Sequence, residues 1–163
     1  MQIIWFRQDL RLSDNPALSS AAGAGDILPI YILDDVNASP HKIGGAGRVW
    51  LHHALNDLNN SLEGHLKVFS GNPEDILLQL CDEHDVDGVH WNRCYEPWRI
   101  ARDKQIKTSL GKMDIAVHSQ NGSLLWEPWQ ALKADQTPYR VFTPYFRRGC
   151  ANALPARAVS YTH

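Results

Sequence analysis

Five short apolar runs, each followed by a stretch of helical character, constrain this chain more than any other feature. Residues 3–6, 27–33, 66–69, 86–91 and 115–118 read as strands, apolar nearly throughout rather than alternating. Ser13-Asp14-Asn15-Pro16 supplies a capping residue and a first-turn proline for a helix over 17–22, stopped by Gly23 and Gly25. Residues 48–62 place Val49, Leu51, Leu55, Leu58 and Leu62 near one helical face. Asn72-Pro73-Glu74-Asp75 opens a third helix, with acids in the first turn and Ile76, Leu77, Leu80 and Cys81 as its buried face. A fourth runs over 97–110 and ends at Gly111. Strands without polar alternation are buried on both faces, as in a parallel sheet covered by helices. Right-handed crossovers then give an α/β fold: a doubly wound five-stranded parallel sheet in a Rossmann-like three-layer sandwich. After Gly122 the pattern fades. Residues 136–148 are aromatic and basic, and 151–163 show no period. The expected organisation is one α/β domain over 1–131 and the start of an interdomain linker over 132–163.

A net charge of −2 and a pI near 6.4 are not the basic footprint of a stand-alone nucleic-acid binder. Cys81, Cys94 and Cys150 form no CxxC pair, so a reducing compartment is expected rather than a disulfide framework. The opening MQIIWFRQDLRL meets Arg7 and Asp9 too early for a signal peptide. No run reaches the length of a membrane span. These features point to a cytoplasmic protein.

Ligands of open α/β sheets sit at the carboxyl ends of the strands, where the strand order reverses. Strands 1 and 4 are expected to flank that point. Trp5, Phe6, Arg7 and Asp9 come from one side, and Trp91, Asn92, Arg93, Tyr95, Glu96 and Arg99 from the other. Aromatic rings and charges converging on one crevice suit a flat, partly polar ligand. No GxGxxG or Walker lysine motif is present. Residues 42–48, KIGGAGR, lead into a helix and read either as an anion cradle or as a flexible loop. His52 and His53 are adjacent and diverge on a helix, and Asp82, Glu83, His84 and Asp85 read as a solvated helix end. No catalytic or metal-ligating set emerges. The basic and aromatic 139–148 suits either base stacking or docking between domains.

Three stretches resemble the DNA photolyase and cryptochrome family. The first is Ile4-Trp5-Phe6-Arg7-Gln8-Asp9-Leu10-Arg11-Leu12-Ser13-Asp14-Asn15-Pro16-Ala17-Leu18. The second is Trp91-Asn92-Arg93-Cys94-Tyr95-Glu96-Pro97-Trp98-Arg99, followed by Arg102-Asp103. The third is Tyr139-Arg140-Val141-Phe142-Thr143-Pro144-Tyr145. They come in the family's order and cover the chain to about residue 150. The resemblance implies an N-terminal antenna domain that holds a light-harvesting chromophore, a deazaflavin or a reduced folate. That chromophore passes energy to FAD in a separate helical domain, where a cyclobutane pyrimidine dimer flipped out of damaged DNA is split. This chain stops before the helical domain, its own partner in such a protein, so the fragment alone is expected to be inactive. Trp5, Arg7, Asp9, Asp34, Arg48, Glu96 and Arg99 are the expected cofactor-binding residues. One departure matters. Folate-type members carry an Asn-Glu pair after the Tyr-Glu turn; the matching positions here are Trp98 and Arg99. An arginine cannot accept pterin N–H bonds as a carboxylate does. A deazaflavin, another folate site or an empty pocket all stay open. The same domain of a blue-light photosensor, and a stand-alone α/β nucleotide-binding module, are the alternative readings.

Overall fold

The structure, a computed structural model, describes residues 1–153. It divides into two compact units, Met1–Gly122 and a second that begins at Ser123. The end of the expected linker, 154–163, lies outside the described residues. In the first unit the chain runs β1 Gln2–Phe6, α1 Pro16–Ala24, β2 Ile27–Leu33, α2 Gly45–Ser61, β3 Lys67–Ser70, α3 Pro73–Glu83, β4 Gly88–Asn92, α4 Pro97–Gly111 and β5 Ala116–Gln120. All strand pairs are parallel, in the order β3-β2-β1-β4-β5. This is the doubly wound sheet that the alternation of elements predicts, with the order reversing between β1 and β4.

The central strands are buried along their whole length, which is why they read as unbroken apolar runs. Alternate side chains enter two cores. Ile3, Trp5, Val89 and Trp91 pack with Leu77 and Leu80 of α3 and Ile106 and Leu110 of α4. Ile4, Phe6 and Tyr31 pack with Ala17 and Ala21 of α1 and Leu58 of α2. Trp5 and Trp91 meet edge to face at 5.6 Å, and each is at most 1% exposed. Burying one indole contributes on the order of 4–6 kcal/mol before entropy is counted. The outer strands β3 and β5 are more exposed, and their boundaries are shifted by one or two residues from the expected ones. Helix α2 begins at Gly45, three residues early, and Gly23 lies inside α1 while Gly25 caps it. A single glycine inside a short helix costs only about 1 kcal/mol, which packing of Ala17 and Ala21 offsets.

Asn15 ties α1 to the strand ends. Its Oδ1 accepts from Leu18 N at 3.2 Å and from Asn92 Nδ2 at 2.7 Å. Asn92 Oδ1 in turn accepts from Ala17 N at 3.2 Å. The cap thus fixes the first turn of α1 against the end of β4.

His90 is 1% exposed and stacks on His118 at 4.5 Å. Gln2 Oε1 lies 2.9 Å from its Nε2 and Ser20 Oγ 3.2 Å from its Nδ1. Burial, with a smaller contribution from His118, pushes the imidazole down to about 4. The folded value lies below the unfolded one, so this contribution to stability is full above about pH 6.5 and is lost as pH falls from there toward 4. Thermal unfolding at pH 7 and pH 5 is expected to show a lower Tm at pH 5. His90→Gln should have a smaller drop than the parent sequence; equal drops would remove His90 as the cause.

The second unit holds a single helical turn, α5 Phe142–Pro144, continued by a π-helical turn, Tyr145–Cys150. Tyr139 packs against Tyr145 edge to face at 6.1 Å, and Phe142 stacks on Phe146 at 5.8 Å. Gly149 is needed here because a Cβ would come within 2.9 Å of the Tyr139 ring. Among the described residues, no helix is long and apolar enough to cross a membrane, and no group of three or more His, Cys, Asp or Glu is placed to hold a metal ion.

Candidate functional site

At the reversal point the gap between β1 and β4 is not an open crevice. Arg7, leaving the end of β1, fills it. Its Nη2 donates to the carbonyl of Asn92 and its Nη1 to Asp103 Oδ2 at 2.6 Å. Asp103 Oδ1 accepts from Arg102 Nη2 at 2.8 Å and Nε at 3.1 Å. Arg102 Nη1 reaches Asp34 Oδ2 at 2.9 Å. The four side chains form one chain of alternating charge from β1 through α4 to the end of β2, each at most 11% exposed. Two buried guanidinium groups require two carboxylates, and the network supplies that number.

The open space lies to one side, over the ends of β1 and β2, between one face of α2 and the start of α4. It is a cavity of about 700 Å³ whose walls include Trp5, Tyr31, Trp50, Trp98, Arg99 and Arg102. The volume falls in the range of small-molecule sites. The arginines also stack on the rings. The Arg102 Cζ lies 4.9 Å from the Trp5 ring centroid and 5.3 Å from that of Trp98, and the Arg99 Cζ lies 4.8 Å from Trp98. Burial pushes the Tyr31 phenol above its ordinary value, with Arg99 opposing, so it stays a neutral donor at neutral pH. The Trp5 Nε1 is buried without a hydrogen-bond partner. An orphaned donor of this kind costs about 1–3 kcal/mol. Aromatic walls and four arginines, of which Arg7 and Arg102 are paired with Asp103 and Asp34, suit a flat, polycyclic, partly anionic ligand.

Of the residues expected from sequence, Trp5, Arg7, Asp34 and Arg99 line this cavity. Asp9 stands behind it, accepting from Arg7 N at 2.9 Å and from Asn92 Nδ2. Arg48 pairs with Asp35 at 2.5 Å and donates from Nε to the Ile43 carbonyl at 3.0 Å, anchoring the loop before α2. Glu96 accepts from Gln8 Nε2 at 3.0 Å and lies 3.6 Å from Arg99 Nε at the start of α4. Trp91 is separated from the cavity and packs on the far side of Trp5.

Tyr31, Trp50, Trp98 and Arg102 also line the cavity; Trp98 and Arg102 lie in the second family-like stretch, while Tyr31 and Trp50 lie outside all three. A signal for one wall was present: Gly47, Trp50, Leu51, Ala54 and Asp57 recur at helical spacing, a second face of α2 beside its core face. Gly47 permits a close approach there, since a Cβ would sit 2.7 Å from Ile43 Cγ2. Trp50 is 71% exposed, an unusual position for an indole unless something packs on it.

The family model described as DNA photolyase matches residues 2–160. A deoxyribodipyrimidine photo-lyase of Agrobacterium fabrum is 45% identical over 149 residues, 89% of this chain and 30% of that protein. Cryptochrome-2 of Arabidopsis thaliana is 32% identical over 90% of this chain and 24% of its own length. A bacterial class III photolyase structure from Agrobacterium tumefaciens superposes with a TM-score of 0.83 at 39% identity, covering 98% of this chain and 34% of that one. An archaeal photolyase from Sulfolobus tokodaii, solved with two FAD molecules, has a TM-score of 0.71 at 23% identity, a likeness of fold. The chain therefore spans about a third or less of the proteins it matches here.

Proposed function

The chain belongs to the DNA photolyase family, and from that premise we propose that it is the antenna domain of a longer, cytoplasmic deoxyribodipyrimidine photolyase. The observation that carries this reading is the aromatic and arginine-lined cavity at the ends of β1 and β2. A bound antenna, a deazaflavin or a reduced folate, would supply absorption of blue or near-ultraviolet light and delivery of that energy to FAD in a helical domain. The residues of this chain hold and orient. Trp50 and Trp98 offer ring faces, Arg99 offers positive charge beside Trp98, and the Arg7–Asp103–Arg102–Asp34 network fixes the cavity floor. Dimer splitting is proposed to belong to the remainder of the parent protein, as the family resemblance implies. The domain is proposed to extend over 1–131, with 132–163 leading toward that remainder. Damaged DNA is the proposed partner of the whole protein, because the −2 charge of this chain offers little to phosphates overall.

The higher identity to a photolyase than to a cryptochrome, 45% against 32%, favours repair over sensing. Blue-light-dependent repair of a thymine-dimer oligonucleotide by the full-length parent tests this, with the 163-residue chain as control. Repair by the parent and none by the chain is expected. No repair by a flavin-loaded parent, on single- or double-stranded substrate, would overturn the repair reading and favour a photosensor.

A further inference from the structure

Tyr31 does more at the cavity than its core role explains. Its ring packs with Ile4 and Phe6 against Ala17, Ala21 and Leu58, and the residue is 6% exposed. A phenylalanine would fill that place as well, so the hydroxyl is the addition. Hydroxyls on side chains this deeply buried are ordinarily paired. This one makes no hydrogen bond to the described residues, yet it is not sealed from solvent as Trp5 Nε1 and Arg7 Nε are. Since Tyr31 lines the cavity, the part of it left open is a donor facing that space. Arg99 stands beside it. Its guanidinium is near enough to oppose, by its charge, the rise that burial gives the phenol. Arg99 Nη1 donates to Cys94 Sγ at 3.3 Å, a weak acceptor, and Nε lies 3.6 Å from Glu96 Oε1 without a hydrogen bond. Its Nη2 donates to no described residue. Tyr31 is opposite Phe6 in the sheet register, at the floor formed by the strand ends, whereas Trp50 is 71% exposed on α2. A flat ring that enters along Trp50 presents its leading edge to Tyr31 and Arg99.

We propose that Tyr31 and Arg99 form the subsite for a ring carbonyl oxygen of the bound chromophore, with the Tyr31 hydroxyl as the specificity-determining donor; this rests on the antenna reading of the cavity. A carbonyl oxygen has two lone pairs and accepts from the hydroxyl and from Arg99 Nη2 together. A ligand carboxylate fits this floor less well. Arg7 and Arg102 are spent on Asp103 and Asp34, and Glu96 already draws on Arg99, so a full negative charge would be buried with little to offset it. Deazaflavins and reduced folates both carry ring carbonyls, so the chemistry is common to the two, and the test separates them. The oxygen is conjugated with the ring, so the same donors tune the colour of the bound chromophore.

The test mixes the 163-residue chain, Tyr31→Phe and Arg99→Met with 8-hydroxy-5-deazaflavin and, separately, with methenyltetrahydrofolate. Affinity is read by fluorescence and the ring C=O stretch of the bound ligand by infrared difference spectroscopy. Tyr31→Phe keeps the ring in its core, so the Tm should hold. Binding should weaken by about threefold to tenfold, the loss of one hydrogen bond. The C=O stretch should move to higher frequency, because a donor to the oxygen weakens that bond. Arg99→Met should move the stretch in the same direction. A packing role for Tyr31 would leave the stretch where it is. Whichever ligand shows the shift is the source of the carbonyl. A bound ligand whose stretch is the same in all three proteins would overturn the proposal, whatever its affinity, and leave the antenna reading standing. Binding of neither ligand would overturn both.

Discussion

Asp103→Ala is expected to destabilise the α/β unit by about 3–5 kcal/mol, the cost of leaving buried charges without their partner. Asp103 accepts from Arg7 on one oxygen and from Arg102 on the other. Removing it leaves Arg7, whose side chain is 3% exposed, without its carboxylate, and leaves Arg102, 6% exposed, with Asp34 alone. Water cannot reach them without opening the junction of β1, β2 and α4. The loss is a large share of the roughly 5–15 kcal/mol that holds a domain together. Thermal unfolding should fall by on the order of 10–20 °C for a unit of this size. Glu96→Gln is the comparison. It removes one negative charge from a half-exposed pair with Arg99, where the expected change is within about 1 kcal/mol. Equal losses in the two variants would show that the buried network contributes no more than a surface ion pair.

Ala54→Trp is expected to abolish chromophore binding while leaving the fold intact. Ala54 lies on the wall of the larger cavity, on the face of α2 that also carries Gly47 and Trp50. An indole there occupies space that is open rather than packed, so the overpacking cost of a filled core does not apply. Binding of an 8-hydroxy-5-deazaflavin and of methenyltetrahydrofolate to the 163-residue chain, read by fluorescence, checks the effect. Whichever chromophore binds the parent sequence should bind the variant at least roughly tenfold more weakly, a loss of about 1.4 kcal/mol or more. Unchanged affinity would place the chromophore elsewhere. Saturable binding of neither one to the parent sequence would remove the antenna role from this cavity. The variant differs from Asp103→Ala in kind: one acts on occupancy with stability kept, the other on stability first.

The order of elements is legible in the sequence because local physics determines it. Unbroken apolar runs such as residues 27–33 have to be buried on both faces. Asn15-Pro16 and Asn72-Pro73 cap helices through their own side chains and rings, and the observed caps are those residues. The family resemblance was legible for the same reason, since its motifs sit at strand ends and helix starts, where each residue has a fixed local task. The reversal of strand order falls between β1 and β4, the strands expected to flank it.

The tertiary structure alone decided which charges face a ligand and which face one another. Arg7, Asp34, Arg102 and Asp103 come from three elements up to 96 residues apart, and nothing local marks them as one network. Their pairing closes the gap between β1 and β4 and moves the open space toward β2 and α2. Trp50 and Ala54 therefore line a cavity although their helix was read for its core face alone. Periodicity records which side of an element is buried. Whether that side meets a core, a counter-charge or an empty space depends on what other elements bring to it, and only packing sets that.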